Sequence, residues 1–140
     1  MSDKAFVDTN VLVYAIESQG RALAKPDRAR TLLQAPDLCL STQVLGEFYR
    51  AVTSSRRAQP LEHSEAVAWV QVWKRFDLLG ITVAHVDLAL ELRERVEIAY
   101  YDALILSSAQ MAGCRTVFSE DLNAGQSYDG VQVVNPFSAL

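Results

Sequence analysis

The stretch Lys4–Ile16, KAFVDTNVLVYAI, places a short apolar run, an acid and a second apolar run in immediate succession. Its first part, Lys4–Asp8, predicts a short buried strand, and Val11–Ile16 predicts one or two helical turns. Asp8 therefore stands where the predicted strand ends and the helix begins. A carboxylate beside buried apolar residues is costly unless it is paired, so Asp8 is the first candidate for a functional residue.

The rest of the chain repeats this alternation of strand and helix. After a break at residues 20–24, helices are predicted at Pro26–Gln34, Gln43–Ser54 (capped by Thr42), Glu62–Phe76, Val86–Val96 and Tyr101–Ala112. Strands are predicted at Leu38–Ser41, Gly80–Val83, Thr116–Ser119 and Val131–Val134. This pattern indicates parallel βαβ units, hence the α/β class with helices on both faces of an open sheet. Ligands of such sheets bind beyond the carboxyl ends of the strands, where the strand order reverses.

Composition narrows the class of protein. The chain has 140 residues, of which 50% are hydrophobic and 21% charged. These fractions exclude disordered, collagen-like and low-complexity proteins, and the length suits one domain over residues 1–140 with its own core. The formal net charge is −4, so bulk electrostatics do not attract nucleic acid. A polyanionic substrate would need local binding groups.

The N-terminus and the cysteines bear on the compartment. Residues Met1–Phe6 lack the basic start and long apolar stretch of a signal peptide, and no segment reaches the roughly 18 to 20 apolar residues of a membrane span. Cys39 and Cys114 form neither a disulfide framework nor a zinc motif, so buried reduced thiols are expected. These features predict a cytoplasmic protein without a membrane segment.

Four acids interrupt or border apolar sequence. Asp8 closes the first predicted strand, and Glu47 lies within an apolar helical stretch. Asp102 begins the most hydrophobic helix, and Asp121 lies just beyond the predicted strand Thr116–Ser119. If the sheet brings these positions together, the carboxylates repel one another, which either raises their pKa values or demands a cation.

The chemistry of this ligand set points to a particular kind of cation. Oxygen-rich sites without His or Cys prefer Mg²⁺ or Mn²⁺, and Mg²⁺ is normally held by one or two carboxylates together with waters and substrate phosphate oxygens. One or two such ions can lower the pKa of a bound water and stabilise an in-line phosphodiester displacement. Phosphodiester hydrolysis is therefore the reaction that these acids suit.

Each acid also has a purely structural interpretation. Asp8 is a good helix N-cap, and Glu47 lies three residues before Arg50, a common ion-pair spacing on a helix. Asp102 suits the start of a helix, and Asp121 suits an ordinary acidic turn. Only the occurrence of all four, in order and near strand ends, favours the catalytic interpretation.

Three blocks and one isolated acid carry a family resemblance. They are Asp8–Tyr14 (DTNVLVY), Glu47, Tyr101–Ile105 (YDALI) and Ser119–Gln126 (SEDLNAGQ). This arrangement resembles a PIN domain, most closely the VapC-type toxins of bacterial toxin–antitoxin pairs, over nearly the whole chain. The resemblance implies a three-layer α/β/α sandwich with a central parallel sheet, and a Mg²⁺- or Mn²⁺-dependent endoribonuclease. It also implies homodimers and inhibition by a cognate antitoxin protein.

The resemblance carries over residue by residue. It implies four catalytic and metal-binding acids, which are Asp8, Glu47, Asp102 and Asp121. Asn10 and Ser119 match polar positions that support the pocket. Glu120 stands beside Asp121, so the sequence leaves open which of the two carboxylates points inward.

Basic residues are the candidates for RNA backbone contacts. Arg50, Arg56 and Arg57 lie at the end of the Glu47 helix and in the loop after it, where they are placed to meet phosphates. The alternative is an ordinary solvated loop end. Lys25 is expected on an exposed helix face without a functional role.

The sequence thus predicts a toxin that cleaves RNA by metal-activated water. Two alternatives use the same residues differently. One is a PIN nuclease of RNA processing or one directed at DNA. The other is a non-catalytic PIN-like module that acts through a DNA-binding antitoxin partner.

Overall fold

The computed structural model describes residues 3–18 and 23–140. Its helices are α1 Thr9–Ala15, α2 Ala24–Leu32, α3 Thr42–Thr53, α4 His63–Trp73, α5 Val83–Arg95 and α6 Tyr100–Met111. Its strands are β1 Ala5–Val7, β2 Leu38–Ser41, β3 Asp77–Leu79, β4 Thr116–Phe118, β5 Ser127–Tyr128 and β6 Val131–Val134. The predicted break at residues 20–24 lies mostly outside the described residues.

The strands form one sheet in the order β3-β2-β1-β4-β6-β5. The chain runs outward from β1 through β2 to β3 and then returns to place β4 on the other side of β1. All pairings from β3 to β6 are parallel. The strand order therefore reverses between β1 and β4, and the carboxyl ends of these two strands border the crevice where sheets of this kind bind ligands.

Helices cover both faces of the sheet, which confirms the predicted three-layer α/β/α architecture. Helices α1 to α4 pack against one another, and α5 packs on α6. Strand β1 is buried at every residue, as expected of a parallel strand covered on both sides. Every residue from Ala103 to Ala109 is also buried, so the predicted central buried helix is confirmed.

Strand β5, at the edge of the sheet, was not predicted from the sequence. It pairs antiparallel with β6, and residues 129 and 130 form a two-residue hairpin turn. Asp129 and Gly130 have φ values of 50° and 86°, as this type of turn requires. An Asp-Gly pair before an alternating apolar strand is a strong hairpin signal, and it is the sequence feature that indicates β5.

Several predicted boundaries differ from the observed ones, and two of these differences have an identifiable cause. The strand predicted at Gly80–Val83 lies earlier, at β3, because Leu78 pairs with Leu40 of β2 while Thr82 already caps α5. The β-branched residues that suggested a strand belong instead to the entry of that helix. The cap of α3 is Ser41, whose Oγ accepts from the backbone N–H of Val44 at 3.4 Å, and not Thr42.

Two further expectations concern the cysteines and the helices. Cys39 and Cys114 are both free and buried, as predicted. Among the described residues, no helix combines the length and the apolar character needed to cross a membrane.

Candidate functional site

Asp8 and Ser119 lie at the carboxyl ends of β1 and β4, where the strand order reverses. Both are buried, at 7% and 0% exposure. The Ser119 hydroxyl donates to Asp8 Oδ2 at 2.7 Å, and the Thr9 backbone N–H donates to Asp8 Oδ1 at 2.7 Å. Asp8 is therefore the N-cap of α1 as well as a member of the acidic group, so its structural and functional interpretations are compatible.

Asn10 ties the turn after β4 to the first turn of α1. Its Nδ2 lies 3.4 Å from Asp8 Oδ2, 3.3 Å from Ser119 Oγ and 3.2 Å from Asp121 Oδ2. Its Oδ1 accepts from the backbone N–H of Glu120 at 3.1 Å. The Ser119 hydroxyl also accepts from the backbone N–H of Asp121 at 3.1 Å. Asn10 and Ser119 thus hold Asp8 and Asp121 in fixed positions relative to each other.

The two adjacent acids after β4 point in different directions. Asp121 accepts from Asn10, whereas Glu120 accepts from the Tyr14 hydroxyl at 2.7 Å and from Lys25 Nζ at 2.6 Å. Partial burial raises the pKa of Glu120, but the hydrogen bonds from Lys25 and Tyr14 outweigh this effect and lower the pKa below its ordinary value. The expectation that Lys25 only decorates a helix face is wrong, because its ammonium group neutralises Glu120.

Glu47 is held by the side chain one helical turn before it. Gln43 Nε2 donates to Glu47 Oε1 at 2.7 Å and to the backbone carbonyl of Tyr101 at 3.1 Å. Because Tyr101 precedes Asp102 in α6, this amide connects the helix of Glu47 to the helix of Asp102. Among the described residues Glu47 forms no ion pair with Arg50, so the alternative helix-surface pairing is absent there.

The acids lie close enough to affect one another's ionisation. Burial raises the pKa of Asp8, hydrogen bonds from Ser119 and Thr9 offset part of this rise, and the charges of Asp121 and Asp102 add to it. Glu47 is exposed at the surface, but partial desolvation of its carboxylate raises its pKa, the Gln43 hydrogen bond offsets part of this rise, and the charges of Asp8, Asp102 and Asp121 add to it. For Asp102, burial and the charge of Asp121 raise the pKa. The four carboxylates thus share one region of unfavourable negative potential.

Two open cavities meet at Asp121. One, of about 400 Å³, is lined by Asn10, Glu47 and Asp121 among others. The second, of about 200 Å³, is lined by Asp102 and Asp121 among others. A larger cavity of about 600 Å³ lies beside Tyr14 and Lys25 and contains none of the four acids. The acidic surface is therefore open to a large ligand.

The donor set fits a hard divalent ion. Within residues 3–18 and 23–140, no three carboxylate, imidazole or thiol groups converge closely enough to hold a metal ion by themselves. Mg²⁺ needs only one or two direct carboxylates and completes its shell with water. The rise in the pKa values of Asp8, Glu47 and Asp102, caused by burial and by the charges of neighbouring acids, is the electrostatic condition that such an ion relieves.

Two side chains that shape this site were not predicted from the sequence. Gln43 lies four residues before Glu47, and that helical spacing was a usable signal. Lys25 lies 95 residues from Glu120, and no local pattern relates the two. In the described part of the chain, Thr9 Oγ1 and Gln43 Oε1 are buried polar atoms without a partner.

The three arginines have different surroundings. Arg50 and Arg56 are exposed. The Arg57 guanidinium donates to Glu17 Oε1 at 3.3 Å and to the Gln59 carbonyl at 3.2 Å. Only Arg50 and Arg56 of this group have the exposure that backbone phosphate contacts require, while Arg57 fixes its loop to the end of α1.

The fold and sequence match a known family and several solved structures. The family model described as PIN domain matches residues 5–126. VapC20 of Mycobacterium tuberculosis, described as a sarcin-ricin loop cleaving toxin, has a TM-score of 0.67 at 22% identity over 84% of this chain and 90% of that one. DNA-bound VapBC from Salmonella typhimurium gives 0.68 at 20% identity, over 93% and 96% of the two chains.

A third solved structure is also similar to the chain. FitAcB from Neisseria gonorrhoeae gives a TM-score of 0.65 at 20% identity, over 96% of this chain and 99% of that one. No curated protein sequence matches the chain significantly. At these identities the structural likeness establishes the shared fold.

Proposed function

The chain belongs to the PIN domain family, and from that premise we propose that it is a metal-dependent endoribonuclease that acts as the toxin of a type II toxin–antitoxin system. The observation that carries the proposal is the shared acidic region at the point where the strand order reverses. There burial raises the pKa values of Asp8, Glu47 and Asp102, and the charges of neighbouring acids of the group, Asp121 among them in every case, raise them further. Oxygen ligands alone suit Mg²⁺ or Mn²⁺.

We assign the roles of the acids from their surroundings. Asp8, Glu47 and Asp102 would share the ion, one or two of them directly and the rest through water, and Asp121 would complete the site or orient the attacking water. When bound, a divalent ion lowers the pKa of a water molecule and offsets the charge of the phosphate that is attacked. Ser119 and Asn10 keep Asp8 and Asp121 in place, and Gln43 does the same for Glu47. Lys25 keeps Glu120 away from the ion.

The proposed function implies binding partners for the chain. We propose that Arg50 and Arg56 contact RNA backbone phosphates, because the acidic region itself repels them. The Salmonella relative is a VapBC complex, which supports a cognate antitoxin protein as a partner here. A homodimer and a cytoplasmic location complete the proposal, with residues 1–140 acting as one nuclease domain.

A cleavage assay with the purified, antitoxin-free chain tests this function. Single-stranded RNA should be cut internally in Mg²⁺ or Mn²⁺, and excess chelator should stop the reaction. DNA of the same sequence should remain intact. Cutting of DNA instead would point to the DNA-directed alternative. Tight binding of a DNA-binding antitoxin without any metal-dependent cleavage would point to the non-catalytic module.

The opposite orientations of Glu120 and Asp121 predict opposite consequences for two matched substitutions. Asp121→Asn should lower kcat about 10- to 100-fold, the usual cost of removing a group that orients metal ligands or water. Glu120→Gln should leave kcat within about threefold, because this carboxylate faces Lys25 and Tyr14. Steady-state kinetics of both variants measure the difference. A larger loss in Glu120→Gln would mean that the inward acid has been misassigned.

A further inference from the structure

Tyr101 presents an aromatic ring to solvent beside the acidic region. Its exposure is 65%, and it is the only aromatic residue among the strongly exposed large hydrophobics of the described chain. It lies in the first turn of α6, and the next residue is Asp102. Tyr101 is therefore an exposed aromatic residue next in sequence to one of the proposed site acids.

The position of Tyr101 is fixed by the site itself. Its backbone carbonyl accepts from Gln43 Nε2 at 3.1 Å, and the same amide nitrogen holds Glu47 at 2.7 Å. This amide has one orientation, because its oxygen would otherwise face the Glu47 carboxylate. The ring also meets the edge of the Tyr100 ring, with centroids 5.0 Å apart and planes at 73°. The backbone of Tyr101 is therefore tied to the site while most of its side chain stays uncovered.

Electrostatics explain why an RNA-binding surface here would need an aromatic ring. The chain carries a net charge of −4, and the acids repel phosphates until a cation is bound. Stacking of a base on an aromatic ring adds affinity that does not depend on protein charge, and it tolerates any sequence because every base has a π face. Single-stranded RNA offers unstacked bases for such contacts.

We propose that the Tyr101 ring is the stacking platform for a nucleobase of single-stranded RNA next to the phosphate held at the acidic site. This inference rests on the proposed ribonuclease function and adds to it the group that grips the base. Tyr101 is a binding residue in this proposal, and the chemistry remains with the acids. The occupant is a nucleobase, and a second copy of the chain covering the ring is the competing outcome.

Binding of fluorescein-labelled oligoadenylate, followed by anisotropy in Mg²⁺, tests the proposal. The measurements use an Asp8→Asn background, which suppresses cleavage. Adding Tyr101→Ala should weaken binding about 5- to 150-fold, and Tyr101→Phe should keep the parent affinity within about twofold. Tyr101→Leu keeps apolar area without the π face and should behave like the alanine variant. Met111→Ala, at the exposed far end of the same helix, is the matched control and should bind normally.

A second oligomer separates the base from the backbone. With an oligomer of abasic ribose phosphate of the same length, all four variants should bind alike. Equal oligoadenylate affinity in the parent and in Tyr101→Ala would overturn the proposal, and so would an absence of RNA binding by the parent. If Tyr101→Ala dissociated a dimer in sedimentation without changing the RNA affinity, the ring would be a contact between subunits, and the proposal would also be overturned.

The outcomes distinguish this inference from the proposed function. If the unsubstituted chain cleaves RNA in Mg²⁺ but Tyr101→Ala binds oligoadenylate as its parent does, only the stacking platform is wrong. If the unsubstituted chain does not cleave RNA but its binding depends on the ring, the platform is supported and the nuclease activity is wrong.

Discussion

Asp8→Asn is expected to lower RNA cleavage at least about 100-fold, because among the described residues it removes the buried acid that lies where the strand order reverses. Loss of groups that merely orient metal ligands already costs about 10- to 100-fold. Asparagine is isosteric with aspartate, so its Oδ1 can still accept from the Thr9 N–H and cap α1. Its Nδ2 loses the bond from the Ser119 hydroxyl, whose oxygen already accepts from the backbone N–H groups of Asp121 and Leu122, so only a modest loss of stability is expected. The fold should therefore persist while activity is lost.

The kinetic comparison needs a substitution of the same chemistry at a distance. Asp77 is the first residue of β3, and its carboxylate pairs with Lys4 at 2.9 Å. It therefore lies at the amino ends of the strands, whereas Asp8 lies at their carboxyl ends. Asp77→Asn should retain cleavage within about twofold, with both variants checked by circular dichroism. Full activity in a folded Asp8→Asn protein would remove Asp8 from the mechanism.

The second large effect is a stabilisation by divalent ions that depends on pH. In the folded chain the pKa values of Asp8, Glu47 and Asp102 are raised, so the folded state binds protons more tightly than the unfolded state. Their contribution to stability is complete below the ordinary carboxyl pKa and is lost as the pH rises through the raised values. Once the pH exceeds the raised values, the metal-free chain carries the full cost of burying these charges near other acids.

Added Mn²⁺ or Mg²⁺ should relieve that cost at pH 7. At a concentration of 100 times Kd, a ligand specific to the folded state adds about 2.7 kcal/mol, which corresponds to a rise of roughly 5 to 10 °C in the melting temperature of a chain of this size. Below the ordinary carboxyl pKa the rise should vanish, because protons occupy the acids. Thermal melts with metal and with chelator at both pH values measure this difference.

Other carboxylates have lowered pKa values, so their effect on stability has the opposite dependence on pH. A substitution at one site acid separates the contribution of the site from theirs. Hydrogen bonds from Arg95 lower the pKa of Asp129, and the net effect on Glu120 is also a lowered pKa. These two groups lose their stabilising contribution as the pH falls. Asp102→Asn removes only a site acid. Without metal it should become more stable relative to the parent as the pH rises, and it should gain much less from Mn²⁺. A metal response equal to that of the parent would place the ion elsewhere.

The sequence predicted the elements whose signals are local. The strand before Asp8 and the uncharged helix after Asp102 follow from short-range hydrophobic patterns, and both occur as predicted. The strand predicted at Gly80–Val83 has a physical explanation. β-branched residues favour strands by propensity, but here they lie at the start of helix α5. The partners of strand β3 are chosen by the sheet, because Leu78 pairs with Leu40 from a distant part of the chain.

The proposed type of chemistry also follows from composition and order, because oxygen donors without His or Cys favour hard cations. What only the tertiary structure decided is which groups meet. Glu120 and Asp121 are adjacent and both acidic. Glu120 accepts a hydrogen bond from Lys25, 95 residues away, whereas Asp121 accepts one from Asn10. Hydrophobic periodicity reports which face of an element is buried. The periodicity gives no information about contacts between elements, and those contacts determine which acids lie near one another.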